Sequence, residues 1–266
     1  MSSQALSREP VAVPCMDDNP DQLVIDAKGI HYRELNALLR QAVAEGATQI
    51  TLRNVYGQRY IGTNLQAKVS LTIDGVPGQD LGAFMDGPCI TVLSNAQDGC
   101  GNTMNRGEIV IHGSAGDILG HSMRGGTIYV RDNVGYRTGI HMKEYGDVRP
   151  VLVIGGTAQH FVGEYMAGGL LIVLGTYLED DEEHPSQHVG TGMHGGIILM
   201  RGKVNTARLG REVGVVPLDA EDRWALQRYI AGYARHFGID PAPLINSPYT
   251  KLVPLTKRPY GRLYAY

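Results

Sequence analysis

Gly163-Glu164-Tyr165-Met166-Ala167-Gly168-Gly169-Leu170-Leu171-Ile172-Val173-Leu174-Gly175 is one unit of a pattern that runs through most of the chain. A glycine stands three residues ahead of a methionine, two more glycines follow, and an apolar stretch with Leu171 and Val173 at alternate positions ends at another glycine. Period-two alternation marks a strand with a buried face, and flanking glycines mark turns that need positive φ or close backbone approach. The G-x-x-M frame recurs at Gly82/Met85, Gly101/Met104, Gly120/Met123, Gly139/Met142, Gly163/Met166 and Gly190/Met193. The first four starts are 19 residues apart, the next two gaps are 24 and 27, and six of the nine methionines occupy this slot. Each is followed by its own alternation: Ile90-x-Val92, Ile109-x-Ile111, Ile128-x-Val130, Val151-x-Val153, Leu171-x-Val173 and Ile198-x-Met200.

A unit of 19 residues is too short for a propeller blade or a helical repeat. A leucine-rich repeat would need a leucine framework and a helical return leg, and the units supply neither. The remaining solution is all-β: a parallel β-helix of about 6–7 coils, each made of three short strands joined at glycine corners, with helical caps at both ends. Coils stack roughly 4.8 Å apart, which gives a column on the order of 30 Å long. The methionines then form an internal ladder, where a flexible thioether fills irregular space. The spacing makes them interior neighbours, so they are read as core and not as a soft-metal site.

The long gaps locate insertions, one around Tyr145–Pro150 and one, TYLEDDEEHPSQHV, between Gly175 and Gly190. Inserted loops project from a solenoid, often on its binding face. The acidic run Glu179, Asp180, Asp181, Glu182 and Glu183 is read as a solvated loop that meets a basic patch on a partner subunit or a neighbouring protomer. At the N-terminal side, Tyr32–Glu45 places Leu35, Leu38, Leu39, Ala42 and Val43 on one helical stripe, with Gly46 as the stop. Ile50–Val55 reads as a strand, and Gly62 with Leu65 opens an introductory coil. At the far side, Leu218–Phe237 is amphipathic, with Asp219 as N-cap and Gly238 as stop. The division expected is an N-terminal capping segment over residues 1–61, the repeat column over 62–204, and over 205–266 a helix and Pro/Tyr-rich tail packed on the column.

Composition narrows the function. A net charge of −3 and 24 basic against 27 acidic residues leave no nucleic-acid footprint. No stretch has 18 uncharged apolar residues, and the start, MSSQALSREPVAVP, lacks a basic-then-apolar leader, so neither membrane nor export is expected. Cys15, Cys89 and Cys100 are an odd, scattered set that reads as free thiols in the cytoplasm. The 35 glycines are roughly twice the usual share, and 24 of them fall between Gly82 and Gly202, which excludes long helices there.

Motifs that would carry chemistry are weak. Gly190-Thr191-Gly192-Met193-His194-Gly195 matches a dinucleotide-binding spacing, but it sits inside a repeat and not between a strand and a helix. His112, His121, His141 and His194 lie near the methionine slot, where metal ligation across coils competes with ordinary hydrogen bonding. Cys100, between two glycines, has no assignable base. No catalytic, cofactor-binding or metal-ligating residue is therefore assigned.

The repeated frame, above all Gly163–Gly175, resembles the C-terminal domain of the glutamate synthase large subunit, the GXGXG domain. So do Ile25-Asp26-Ala27-Lys28-Gly29, Arg33-Glu34-Leu35-Asn36 and Gly57-Gln58-Arg59-Tyr60-Ile61-Gly62, and Arg258–Tyr266 is similar to free-standing versions of it. The resemblance covers roughly Leu23 to Tyr266 and implies a right-handed β-helix. It implies a non-catalytic scaffold that braces a glutamine amidotransferase and an FMN and iron–sulfur synthase, in a glutamate synthase or a relative such as N-methylglutamate synthase. FMN and the iron–sulfur cluster would then sit in a partner subunit and none in this chain, in which Met1 is not followed by a nucleophilic cysteine. A homo-oligomer is compatible with the same role. The alternatives are the β-helical subunit of a formylmethanofuran dehydrogenase or formyltransferase/hydrolase complex, which shares the glycine repeat, and an independent enzyme such as an esterase, which lacks the expected nucleophile elbow.

Overall fold

The computed structural model of the chain describes residues 23–179 and 182–256. Cys15, Asp180, Asp181 and the Arg258–Tyr266 ending lie outside the described residues. Strands β1 (Leu23–Asp26), β2 (Gln49–Tyr56), β3 (Ser70–Val76), β4 (Asp86–Val92), β5 (Arg106–Ile111), β6 (Thr127–Val130), β7 (Val151–Ile154), β8 (Ala167–Val173) and β9 (Gly195–Arg201) pair in sequence order, all parallel. The result is a parallel β-solenoid of about six turns. Register follows the repeat in every coil but one: Leu71, Ile90, Ile109, Ile128, Leu152, Leu171 and Ile198 are successive partners, all buried. At β7 it is Leu152 and Ile154 that face inward, while the expected Val151 and Val153 face outward.

Only one of the three sides of each coil is a strand. The second consists of single bridging residues, Ala96 to Ala115 to Val134 to Ala158. The third cannot be extended, because its backbone alternates into the left-handed region. Around Gly120 (φ 67°), Ile118 and Ser122 also have positive φ, at 52° each. Their amides point forward, to Tyr136 O and Ile140 O of the next coil at 2.8 and 2.9 Å, while the Gly120 amide points back to Cys100 O at 2.8 Å. That side is therefore tied to both neighbouring coils through backbone groups that would otherwise be buried and unpaired.

The repeated residues now have separate causes. Met85, Met104, Met123, Met142, Met166 and Met193 are all fully buried. The glycine of each frame faces inward, so a Cβ on Gly82 would stand 2.9 Å from Ile109 Cδ1 of β5, one coil further on. The glycine at the strand entrance receives the methionine of the preceding coil: a Cβ on Gly107 would lie 3.1 Å from Met85 Cε, and one on Gly169 would lie 2.9 Å from Met142 Cε.

Helix α1 (Tyr32–Ala44) covers the N-terminal coil with Leu35, Leu39 and Ala42. Leu38 is exposed, and Asn36 takes the inner position, donating from Nδ2 to Tyr32 O and Arg59 O at 2.7 and 2.9 Å. Helix α2 (Ala220–Phe237) starts at the expected Asp219 and ends at Gly238 in the left-handed conformation. It lies along the flank, where Leu226, Ile230, Tyr233 and Phe237 cover the outward residues Val110, Tyr129, Val153, Leu170 and Ile172. The C-terminal end of the sheet is formed by β10 (Val213–Val216) and, after the short helix α3 (Ala242–Ile245), by β11 (Tyr249–Pro254). Strand β11 inserts antiparallel between β9 and β10.

A buried charge joins α2 to that end. Lys251 Nζ lies 2.6 Å from Asp222 Oδ2 and 2.9 Å from Asp219 Oδ2, and Asp219 and Asp222 also cap the helix reciprocally. The Lys251 ammonium, with the Asp222 amide, holds the Asp219 carboxyl at about 2 instead of 3.8. A depressed carboxyl pKa stabilises above its unfolded value, so this contribution is intact above pH 4 or so and is lost as pH falls through about 2. Asp222→Ala leaves the ammonium with Asp219 as its one remaining carboxylate and removes half of the reciprocal cap. We expect it to cost about 2 kcal/mol, read from the urea midpoint, and a loss under about half a kcal/mol would contradict this role.

The insertion at Tyr145–Pro150 is a tight projecting turn, with Tyr145 and Val148 exchanging backbone hydrogen bonds at 3.2 Å. The loop after β8 is more than a solvated excursion. His184 and Ser186 in its second arm are buried, with His184 Nε2 2.8 Å from Arg201 O and Ser186 Oγ donating to Ala158 O at 2.6 Å.

Candidate functional site

The left-handed side of the column turns its alternate residues outward. Two positions before and two after each frame glycine, φ is positive, a conformation that glycine, asparagine and aspartate tolerate best. Some coils comply, with Asn64, Asp80 and Gly99. Others carry rings: Tyr60 (φ 61°), Phe84 (58°), His141 (54°), Phe161 (65°), Tyr165 (51°) and His188 (58°). Each ring accepts a backbone cost of order 1 kcal/mol to stand there.

Rings of successive coils stack. His141 lies parallel to Tyr165, with centroids 5.3 Å apart and planes 11° apart, and Phe161 does the same with His188 at 4.9 Å and 15°. The Arg137 guanidinium sits 5.0 Å from the Phe161 centroid and is held by Glu164 Oε2 at 2.8 Å. The edge contacts of His121 with His141 (6.0 Å) and of Tyr136 with His160 (5.5 Å) widen the surface. Tyr165 also explains the second glycine of Gly190-Thr191-Gly192, since a Cβ on Gly192 would collide with its ring. That stretch is a coil corner. The amide of Gly192, which in other coils would reach a following backbone carbonyl, is taken up by Glu212 Oε2 at 3.1 Å. At the N-terminal end a separate ring group forms from Tyr32 and Tyr60, with Arg59 5.1 and 5.9 Å from their centroids.

The other candidates from the sequence are placed as follows. Cys100 is fully buried; burial, with Asp80 and Asp98 adding to it, pushes its thiol pKa far up, the reverse of an activated nucleophile. His112 packs edge-on against Phe237, and burial lowers its pKa. His121 is lowered by burial and by His141. The His194 ring nitrogen Nδ1 is 3.3 Å from Gly192 O. No group of three or more His, Cys, Asp or Glu side chains gathers with metal-site geometry among the described residues. Within those residues the arrangement is suited to recognition, with rings and guanidiniums on one face of a rigid column. The sequence reading missed this face, because its members are 20 to 28 residues apart and become neighbours only once the coil frame is laid down.

The GXGXG motif family model matches residues 36–256. An uncharacterized protein of Methanocaldococcus jannaschii is 46% identical over 252 residues, covering 92% of this chain and 97% of that protein. Ferredoxin-dependent glutamate synthase 2 of a Synechocystis species is 29% identical over 213 residues, which is 73% of this chain but 13% of the synthase. The chain thus corresponds to a small fraction of that enzyme's length. Among solved structures, a chain of the formyltransferase/hydrolase complex of Methylorubrum extorquens, crystallised with methylofuran, shares the fold. The TM-score is 0.61 at 20% identity, over 88% of this chain and 91% of that one. No helix among the described residues is long and apolar enough to cross a membrane.

Proposed function

Because the chain belongs to the GXGXG motif family, we propose that it is a non-catalytic scaffold subunit of a glutamate synthase-type complex, bracing a glutamine amidotransferase against an FMN and iron–sulfur synthase. The observation that carries this reading is the confinement of the likeness: 213 residues align with only 13% of a glutamate synthase, as expected for one structural part of a larger machine. The geometry supports it. A column whose coils are tied on three sides is stiff along its axis, and its ring-lined face offers the aromatic and arginine side chains that dominate subunit contacts. Ammonia and imine chemistry, and the FMN and iron–sulfur cluster that serve it, belong in this reading to the partner subunits.

The fold likeness to the formyltransferase/hydrolase complex favours a second reading, a bracing subunit in a formyl-transferring assembly. Sequence identity is higher to the glutamate synthases, which ranks that reading second.

The purified chain alone is expected to show no flavin or iron–sulfur absorbance and no glutaminase activity. Glutamine-dependent activity is expected only on mixing with an amidotransferase and an FMN synthase. Stoichiometric flavin retained by the single chain would overturn the scaffold reading, and activity restored instead with formyl-transferring partners would select the second.

A further inference from the structure

Helix α2 uses its inner face on the sheet and leaves an outer stripe of Arg223, Trp224, Gln227, Arg228, Ala231 and Arg235, all exposed. Trp224 is the only tryptophan of the chain and is 55% exposed. The Arg228 guanidinium lies 5.3 Å from its ring centroid and 5.6 Å from that of Tyr229, a cation–π arrangement that holds the charge outward. None of the three arginines forms an ion pair with a carboxylate among the described residues. A cleft of about 550 Å³ lies beside the first turns of the helix, with Leu218, Leu226, Ile245 and Tyr249 on its walls and Arg223 and Gln227 along it. Trp, Tyr and Arg are the residue types that dominate interface hot spots. The fold gives these residues no internal task, and the stripe is an island of positive charge on a chain whose net charge is −3.

The same molecule carries the complementary surface. After β8, Tyr177 is 54% exposed and is fixed by its hydroxyl to Asp132, Glu179 follows, and Glu182 and Glu183 return on the second arm. Within its own chain the second arm of this loop is tied towards Arg208 and Asn205, at 3.8 and 3.1 Å from Glu183. We propose that the two surfaces meet between two copies of the chain: the acidic loop of one protomer docks on the Trp224–arginine stripe of its partner, and the partner's loop docks in return. Carboxylates face guanidiniums, and the Tyr177 ring supplies the apolar contact beside Trp224. With both contacts formed between the same two protomers, a two-fold axis relates them and the pair closes as a dimer, not as a head-to-tail chain. This contact is separate from the hetero-subunit contacts of the scaffold reading, and that reading stands or falls independently of it.

Sedimentation velocity on the purified full chain decides the matter. The wild type is expected to be a dimer at low salt and to shift towards monomer as salt screens the pairs. Arg223→Glu with Arg228→Glu, and separately Glu179→Arg with Glu182→Arg, should each raise the dimer dissociation constant by about tenfold or more at an unchanged melting temperature. An equimolar mixture of the two reversed variants restores opposite charges at both contacts and should recover the dimer. A monomeric wild type at low salt, variants that dimerise like the wild type, or a mixture that stays monomeric would each overturn the proposal. A variant that melts early is replaced by the corresponding alanine pair, read against the same criterion.

Discussion

Gly107→Ala is expected to destabilise the protein by about 3 kcal/mol, the cost of strain plus overpacking where two coils touch. Gly107 has φ 105°, outside what an L-residue adopts easily, and an added Cβ would land on the Pro88 carbonyl oxygen of the preceding coil and against Met85 Cε. A backbone atom cannot rotate away as a side-chain end can, so the coils must separate locally and the β4–β5 pairing weakens. Gly46→Ala is the matched control. Its φ is 100°, but nothing lies within 4 Å of the added atom, so it should show the conformational cost alone, about 1 kcal/mol. The difference between the two chemical-denaturation midpoints measures the coil-on-coil approach, and equal losses would mean that the strand-entrance glycines serve only their own turns.

Met123→Asp should be larger still. Met123 is fully buried in a stack whose neighbours are all apolar, and an unpaired carboxylate there costs at least about 4 kcal/mol in desolvation and lost packing, enough to unfold a marginally stable chain. Arg124, the next residue, is exposed, and Arg124→Ala should change stability by about half a kcal/mol or less. Similar thermal shifts in the two variants would show that the methionine slot is not interior.

Much of the column was legible in the sequence because its cause is local and repeated: a glycine three residues before a methionine, then alternation, again and again. The number of strands per coil was not, because a left-handed residue such as Ile118 or Phe161 carries no mark of its backbone state; only the hydrogen bonds to both neighbouring coils require it. The flank position of α2 had a signal. Val151-Leu152-Val153-Ile154 and Leu170–Leu174 are continuous apolar runs, the mark of strands buried on both faces, and something has to cover them. The insertion of β11 between β9 and β10 had no such signal, since it pairs Leu252 with Ile198 and Val215 across segments far apart in sequence. His184 was hidden in the opposite way: it follows an acidic run that reads as solvated, yet its ring is buried against Arg201. The ring face and the Trp224 stripe follow the same logic as β11. Their residues are ordinary one by one and gain meaning only as neighbours.

The central claim is that this chain braces chemistry done by other polypeptides, and purification of the chain under mild conditions from the cells that make it tests that most directly. With an affinity tag on this chain and low salt throughout, the account predicts recovery of a complex containing a glutamine amidotransferase and an FMN-binding synthase. Flavin and iron should follow the synthase when salt dissociates the complex, leaving this chain colourless. An active oxidoreductase made of this chain alone, or flavin that stays with it after dissociation, would contradict the account.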